Sequence, residues 1–153
     1  MPLKIFLETP AKSYFSEIEK SFTGMEQLRI IGIIHSGLKK KEDCPLQENE
    51  DAPGATIEIY PEFLEGIKDI KPGSEILLLT WLHQADRSVI KCFPRRNYNA
   101  PEIGVFSTRS PDRPNPIGIH SVKVLAIEQN FIKVSALETL DQTPLIDIKP
   151  VIN

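Results

Sequence analysis

Short segments in which apolar and polar residues alternate run through the chain from residue 29 onward. Ile57 and Ile59 alternate with polar residues, and residues 75–82 form a nearly continuous apolar run, as in a strand buried on both faces. Further strands are predicted over residues 29–36, 55–60, 88–93, 104–108, 117–127 and 131–137. Gln129-Asn130 fits a hairpin turn between the last two strands. Because helices do not alternate regularly with these strands, the pattern predicts a mainly β protein with an antiparallel sheet or a closed barrel.

Two segments have the period of a helix instead. In residues 13–25 the apolar side chains recur at steps of three, four and three residues, at Phe15, Ile18, Phe22 and Met25. Ser16 and Glu19 fit a capping box at the start of this segment. Residues 61–70 begin with a proline, which a helix tolerates in its first turn. We therefore expect one or two short helices, the first of them in an N-terminal leader.

The composition is that of one soluble globular domain. A chain of 153 residues, 41% hydrophobic and 25% charged, is neither fibrous nor disordered in composition. No apolar run approaches the roughly 20 residues of a membrane helix, and the first residues lack the apolar core of a signal peptide. We expect a cytoplasmic protein that does not span a membrane. Cys44 and Cys92 fit neither a CxxC motif nor a zinc site, and we interpret them as reduced thiols.

Charge is unevenly distributed along the chain, although the formal net charge is only −3. Residues 42–69 contain nine acidic side chains and one basic one, whereas residues 87–123 contain seven basic side chains and two acidic ones. A locally basic surface on an acidic protein can still bind a phosphate backbone. The alternative is a solvated surface of mixed charge.

Several familiar motifs are absent from the sequence. The eight glycines stand too far apart for a GxGxxG dinucleotide turn or a P-loop, and there is no HExxH and no GxSxG. The three histidines are scattered, without a carboxylate at matching spacing, so no metal site is predicted. Any nucleotide-like ligand must be bound by other means.

The densest stretch is GVFSTRSPDRPNPIGIH, residues 104–120. Its three prolines fix their own φ angles and restrict the residues that precede them, so this loop is preorganised. Arg109, Arg113 and Asn115 are set into it, and the planar fork of arginine suits a carboxylate or a phosphate. The stretch therefore indicates a site for a small anionic ligand. The alternative is an exposed structural loop with surface arginines.

Two further stretches contain candidate functional residues. In LDQTPLIDIKP, residues 140–150, Asp141 begins a tight turn, and Asp147 and Lys149 fall on one face of a strand. The alternative for that pair is a surface ion pair of about 0–1 kcal/mol. In WLHQADR, residues 81–87, His83 follows the apolar strand and could carry a proton or donate a hydrogen bond. A lone histidine can equally be structural, and His35 and His120 are interpreted as structural.

Together these stretches resemble the TrmO-type (TsaA-like) family of S-adenosylmethionine-dependent tRNA methyltransferases. The matching segments, in the order typical of the family, are IIGIIHS (30–36), CPLQ (44–47, like the Pro-x-Gln loop), WLHQADR (81–87), GVFSTRSPDRPNPIG (104–118) and LDQTPLIDIKP (140–150). The resemblance covers residues 28–152 and separates a barrel domain, 28–153, from the leader, 1–27. It implies a single-sheet antiparallel β-barrel that works as a homodimer.

The resemblance also implies a reaction and the residues for it. The donor is S-adenosylmethionine, and the characterised acceptor is threonylcarbamoyl-adenosine beside the anticodon of certain tRNAs, methylated on its exocyclic nitrogen. The matching donor contacts are Pro45, Leu46, Gln47, His83, Gln84, Arg109, Ile119, Glu138, Thr139, Leu140 and Asp141. The candidates for acceptor binding are Arg113, Asn115, Asp147 and Lys149, and the candidates for a general base are His83, Asp141 and Asp147. In this scheme Arg109 binds the donor carboxylate, and positioning of the two substrates supplies most of the acceleration.

The chain departs from the family pattern at several positions. Glu138 replaces the usual Asp and Gln142 the usual Gly, both beside the implied donor site. Val151 replaces an aromatic residue, and residues 71–74 replace the usual Phe-Ser-His entry to the central strand. Two other hypotheses therefore accompany tRNA methylation. One is a methyltransferase for another small-molecule or nucleotide acceptor, and the other is a non-catalytic S-adenosylmethionine-binding module.

Overall fold

A computed structural model describes residues 27–43 and 53–152, and these residues form a six-stranded closed barrel. The barrel strands are β1 (Gly32–His35), β2 (Gly54–Ile59), β3 (Glu75–Trp81), β6 (Ile117–Glu128), β7 (Phe131–Ala136) and β8 (Thr143–Pro150). Strands β4 (Lys91–Cys92) and β5 (Ile103–Gly104) form a separate two-stranded ribbon. Neighbours around the barrel follow the order β1-β2-β7-β6-β3-β8, and every pair is antiparallel. The prediction of a mainly β, antiparallel barrel is confirmed.

The alternation in the sequence becomes the inside and outside of this barrel. The inward side chains form one apolar core, made of Ile34, Ala55, Ile57, Ile59, Ile67, Ile76, Leu78, Val122, Val124, Ile132, Val134, Leu137 and Leu145. In β3 the inward side chains are buried, but the outward Leu77, Leu79 and Trp81 are only half-buried. The prediction that β3 is buried on both faces is therefore wrong, because only one face of a barrel strand points into the core.

Two predicted strands are shorter than expected. Residues 88–93 contribute only Lys91–Cys92, and most of residues 104–108 forms a 3₁₀ turn, Val105–Ser107. That turn is closed by hydrogen bonds from the backbone N–H and the hydroxyl of Thr108 to the Val105 carbonyl, at 3.0 and 2.8 Å. The hydroxyl thus offers the backbone an alternative to a strand ladder.

A helical segment between β2 and β3 closes one end of the barrel, which we call the lower end. The predicted helix over residues 61–70 is a 3₁₀ helix, Pro61–Ile67, and Phe63, Ile67 and Ile70 pack against the core. Further 3₁₀ turns lie at Lys41–Asp43 and Pro94–Arg96. The hairpin turn after Glu128 is present, with Gln129 at φ 55°. No helix among the described residues is long and apolar enough to cross a membrane. The predicted leader helix, 13–25, lies outside the described residues.

Candidate functional site

The antiparallel topology brings the informative stretches to one end of the barrel. Strands β3 and β1 end there, β6 and β8 begin there, and three backbone hydrogen bonds join the loops. Leu82 N donates to the Pro116 carbonyl at 2.8 Å, and Asp141 N donates to the Leu38 carbonyl at 2.8 Å. Leu137 N donates to the Pro53 carbonyl at 2.9 Å. We call this the loop end of the barrel.

The proline-rich loop, residues 104–116, is held mainly by arginine side chains that donate hydrogen bonds to its backbone carbonyls. Arg113 donates from Nε to the Ser110 carbonyl at 2.8 Å and from Nη2 to the Val105 and Thr108 carbonyls. Arg87 Nε donates to the Pro114 carbonyl at 2.8 Å, which ties the loop to the segment that follows β3. Arg113 therefore braces the loop from within.

Arg109, four residues earlier, is placed differently. Its side chain is exposed, and it makes no hydrogen bond or ion pair with any described residue. His83 and Gln84 are also exposed at this end, directly after β3, and their side chains have no such partner within residues 27–43 and 53–152. Asn115 is exposed in the same loop. These side chains are therefore available to a ligand.

The opposite wall of the loop end is the turn of residues 138–142. Asp141 accepts a hydrogen bond from Ser36 N at 2.9 Å and one from Lys39 Nζ at 2.6 Å. The Lys39 ammonium and then the Ser36 N–H lower the pKa of Asp141 below its usual range. Asp141 is therefore an anion at neutral pH and a weak proton acceptor.

Thr139 in the same turn is almost fully buried, and its hydroxyl has no hydrogen-bond partner among the described residues. Because buried polar groups are nearly always hydrogen-bonded, this hydroxyl is a candidate partner for a polar atom of a ligand. With Arg109 and Asp141 it gives a cationic, an anionic and a neutral group at one end of the barrel. This set fits a zwitterionic nucleoside such as S-adenosylmethionine.

Three of the predicted residues lie on the outer face of the barrel instead. Ile119 and Asp147 both lie opposite Leu79, on the two strands that flank it, and Lys149 lies opposite Leu77. Asp147 and Lys149 share a face, as predicted, and form an ion pair at 3.0 Å. A bulge at Ile146 removes that residue from the regular pairing. Within one chain this outer-face group is distinct from the residues of the loop end.

Two histidines that the sequence indicated to be structural contact the 138–142 turn. His120 Nδ1 lies 2.9 Å from Glu138 Oε1, inside the barrel. His35 lies 3.3 Å from the Gln142 amide through Nδ1 and 2.7 Å from Glu58 Oε2 through Nε2. Both partners in the turn are the residues at which this chain departs from the family pattern. The departures from the family pattern at Glu138 and Gln142 were therefore the signal in the sequence that could have indicated these contacts.

Two of the clefts in the described part of the chain are lined by none of the predicted donor residues. The larger, about 600 Å³, lies at the lower end between the 3₁₀ helix and the β6–β7 hairpin. The smaller, about 280 Å³, lies beside His35 and Lys133. Pro45, Leu46 and Gln47 lie outside the described residues. No group of three metal-binding side chains is found within residues 27–43 and 53–152.

Comparison with known proteins gives a consistent result. Residues 33–153 match the family described as the tRNA-methyltransferase O N-terminal domain. A protein of Archaeoglobus fulgidus named "Probable S-adenosyl-L-methionine-binding protein" is 42% identical over 124 residues, which cover 81% of this chain and 33% of that protein. A protein of Pyrococcus abyssi with the same description is 43% identical over 124 residues, covering 80% of this chain and 66% of its own length.

The fold has a counterpart among solved structures. A crystal structure of TrmO from Pseudomonas aeruginosa is similar with a TM-score of 0.67 at 32% identity, over 84% of this chain and 56% of that one. The chain therefore spans between a third and two thirds of the length of these proteins.

Proposed function

The chain belongs to the TrmO family, and from that premise we propose that it is an S-adenosylmethionine-dependent methyltransferase acting on threonylcarbamoyl-adenosine in tRNA. The observation that carries the proposal is that the exposed Arg109 guanidinium and the ionised Asp141 carboxylate both lie at the loop end of the barrel, on its two walls. S-adenosylmethionine supplies an electrophilic methyl group when bound. Its carboxylate and its sulfonium call for one positive and one negative protein group.

We assign Arg109 to the donor carboxylate, because its planar fork is exposed and not engaged by any described residue. Thr139 offers a buried hydroxyl for a polar atom of the donor. Pro45, Leu46 and Gln47 are further donor contacts in this proposal, because they match the Pro-x-Gln loop of the family. We assign the remaining donor contacts to His83, Gln84, Glu138 and Leu140 at the loop end and to Ile119 on the outer face.

The three candidate bases differ in their surroundings. Asp141 is engaged through both carboxylate oxygens and has a lowered pKa, so we assign it an electrostatic role near the sulfonium. Asp147 is ion-paired with Lys149 on the outer face of β8. His83 is exposed at the loop end and makes no hydrogen bond with a described residue. We therefore assign proton acceptance from the acceptor nitrogen to His83.

The ribbon beside the loop end supports RNA as the acceptor. The described residues expose three aromatic side chains, and all three lie here: Phe93 is 37%, Tyr98 74% and Phe106 80% exposed. Arg95 and Arg96 stand between the first two, both with positive φ angles, 48° and 58°. Exposed rings interleaved with arginines suit unpaired bases and their phosphates. Arg113 braces the loop on this side, and Asn115 is the group we assign to direct contact with the acceptor.

A second subunit would account for the outer-face group. Ile117 and Ile119 are 44% and 43% exposed, beside the half-buried Leu79 and Trp81, and Asp147 and Lys149 border this apolar surface. We propose that a homodimer covers this face and places Asp147 and Lys149 near the acceptor. Sedimentation of the purified protein tests this, and a stable monomer at micromolar concentration would refute it.

The function is tested by incubating the purified protein with radiolabelled S-adenosylmethionine and total tRNA, followed by nucleoside analysis. Label on threonylcarbamoyl-adenosine is the expected result. Label on another nucleoside or on a small molecule would support a different acceptor. Donor binding in a calorimeter without any methylated product would support a binding module, in agreement with the description of the two archaeal relatives as S-adenosyl-L-methionine-binding proteins.

A further inference from the structure

His120 is a buried histidine whose two ring nitrogens both have side-chain partners. It is 4% exposed and points into the barrel from β6. Nε2 lies 2.9 Å from Thr80 Oγ1, and Nδ1 lies 2.9 Å from Glu138 Oε1. Thr80 is fully buried, and the Glu138 side chain is 14% exposed. The ring therefore links three separate segments of the chain away from solvent.

Each of these segments leads directly into residues assigned to the donor. Thr80 lies near the end of β3, three residues before His83. His120 follows Ile119, whose side chain points outward from the same strand. Glu138 is the first residue of the turn that contains Thr139 and Asp141. One buried ring thus joins the segments that contain residues 83–84, residue 119 and residues 138–141.

Gly118 makes room for this arrangement. A Cβ atom on Gly118 would lie 2.5 Å from Thr80 Oγ1 and 2.7 Å from His120 Nε2, closer than real contacts allow. Gly118, the glycine that ends RSPDRPNPIG (residues 109–118), is therefore required by the Thr80–His120 hydrogen bond. The sequence motif and the buried ring are parts of one structure.

We propose that His120 is a positioning residue that sets the relative placement of the donor-binding segments, and thereby donor affinity, through Thr80 and Glu138. The inference rests on the donor site of the proposed function, and His120 itself does not touch the donor. Buried polar groups that lose a hydrogen-bond partner rearrange to recover one. Loss of either bond would therefore shift Glu138 and the turn behind it, or Thr80 and the end of β3.

The experiment measures the Kd for S-adenosylmethionine by calorimetry, with no tRNA present. His120→Asn retains an amide near Nδ1 for Glu138, and His120→Gln retains one near Nε2 for Thr80. Thr80→Val removes only the hydroxyl. We expect each single variant to weaken donor binding about tenfold. Because the bonds act as one unit, the losses in binding free energy of the single variants should not add. The double variant Thr80→Val/His120→Gln should therefore bind the donor more tightly than the sum of the two single losses predicts.

A substitution elsewhere in the barrel core is the control. Val134→Ala in β7 opens the core and leaves the residues of the two His120 hydrogen bonds unchanged, so it should lower the unfolding midpoint while leaving the donor Kd within twofold of wild type. The inference is overturned if Thr80→Val and the His120 variants bind the donor as wild type does. It is also overturned if Val134→Ala, at equal loss of stability, weakens binding equally.

The outcome is separable from that of the proposed function. If wild-type protein binds the donor but methylates no tRNA, the acceptor assignment fails, and the donor Kd values still decide the role of His120. If His120 variants do not fold, Thr80→Val alone decides it, because valine matches threonine in shape.

Discussion

The two walls of the loop end are held in place by different chemistry. The proline-rich loop is stiffened covalently, and Arg113 and Arg87 donate to its backbone carbonyls. The turn of residues 138–142 contains no proline and is held by ionisable side chains, through Lys39–Asp141, His120–Glu138 and His35–Gln142. Backbone carbonyls do not titrate, whereas carboxylates and imidazoles do. In the first wall only Asp112, which accepts a hydrogen bond from Asp86 N at 2.8 Å, adds a carboxylate to these contacts. We therefore expect single exchanges of ionisable side chains in the second wall to affect donor binding.

The largest effect is expected from the contrast between the two arginines of the first wall. Arg109→Ala should weaken S-adenosylmethionine binding about a hundredfold, because a charge-assisted, forked contact is lost. Its unfolding midpoint should not change, since the side chain is exposed and has no partner among the described residues. Calorimetry and thermal unfolding measure the two. Donor binding at wild-type strength would refute the assignment of Arg109.

Arg113→Ala should do the reverse and act on stability first. The variant loses the hydrogen bonds that Arg113 donates to the Ser110, Val105 and Thr108 carbonyls. Its free energy of unfolding in urea should therefore fall by about 3 kcal/mol. Arg113→Lys should recover only part of that loss, because one ammonium cannot reach all three carbonyls. If Arg113→Ala unfolds like wild type, the bracing role is wrong.

Acid should act on the second wall through Asp141. Because its pKa is lowered in the folded protein, its contribution to stability is present above the unfolded pKa of about 3.9 and is lost as pH falls through the folded value. Asp141→Asn should therefore lower the melting temperature at pH 7 and flatten its decline below about pH 4. Melting curves across that range measure this, and parallel curves for both proteins would contradict it.

The smallest effect is expected at Gln142, whose φ of 66° is unfavourable for a side chain with Cβ. Gln142→Gly should stabilise the protein by about 0.5 kcal/mol after the greater freedom of glycine in the unfolded chain is counted. Gln129→Gly is the matched control, since Gln129 has a φ of 55° in the distant β6–β7 hairpin. Both should raise stability, but Gln142→Gly alone should alter the donor Kd. If Gln142→Gly and Gln129→Gly bind S-adenosylmethionine with equal affinity, Gln142 does not influence the donor site.

The accuracy of the sequence predictions differed between core and site for a physical reason. Strands such as β2 and β7 follow from alternation, because an inward apolar face is required at every second residue. Residues 88–108 formed only a short two-stranded ribbon, because many of their backbone groups pair with nearby turns and hydroxyls instead. Local hydrogen bonds of that kind leave no periodic signal. The roles of His35 and His120 were missed for the opposite reason, because their hydrogen-bond partners lie 18 or more residues away along the chain.

The sequence by itself determined the mainly β fold, the rigidity of the proline-rich loop and the family, since each depends on residue type at fixed local spacing. Only the tertiary structure decided which arginine braces that loop and which faces solvent, because Arg109 and Arg113 are chemically identical until the fold supplies carbonyls to one of them. It also decided that Asp141 meets Lys39 and that Glu138 meets His120. Closure of the barrel creates these contacts, because it joins residues that are far apart along the chain.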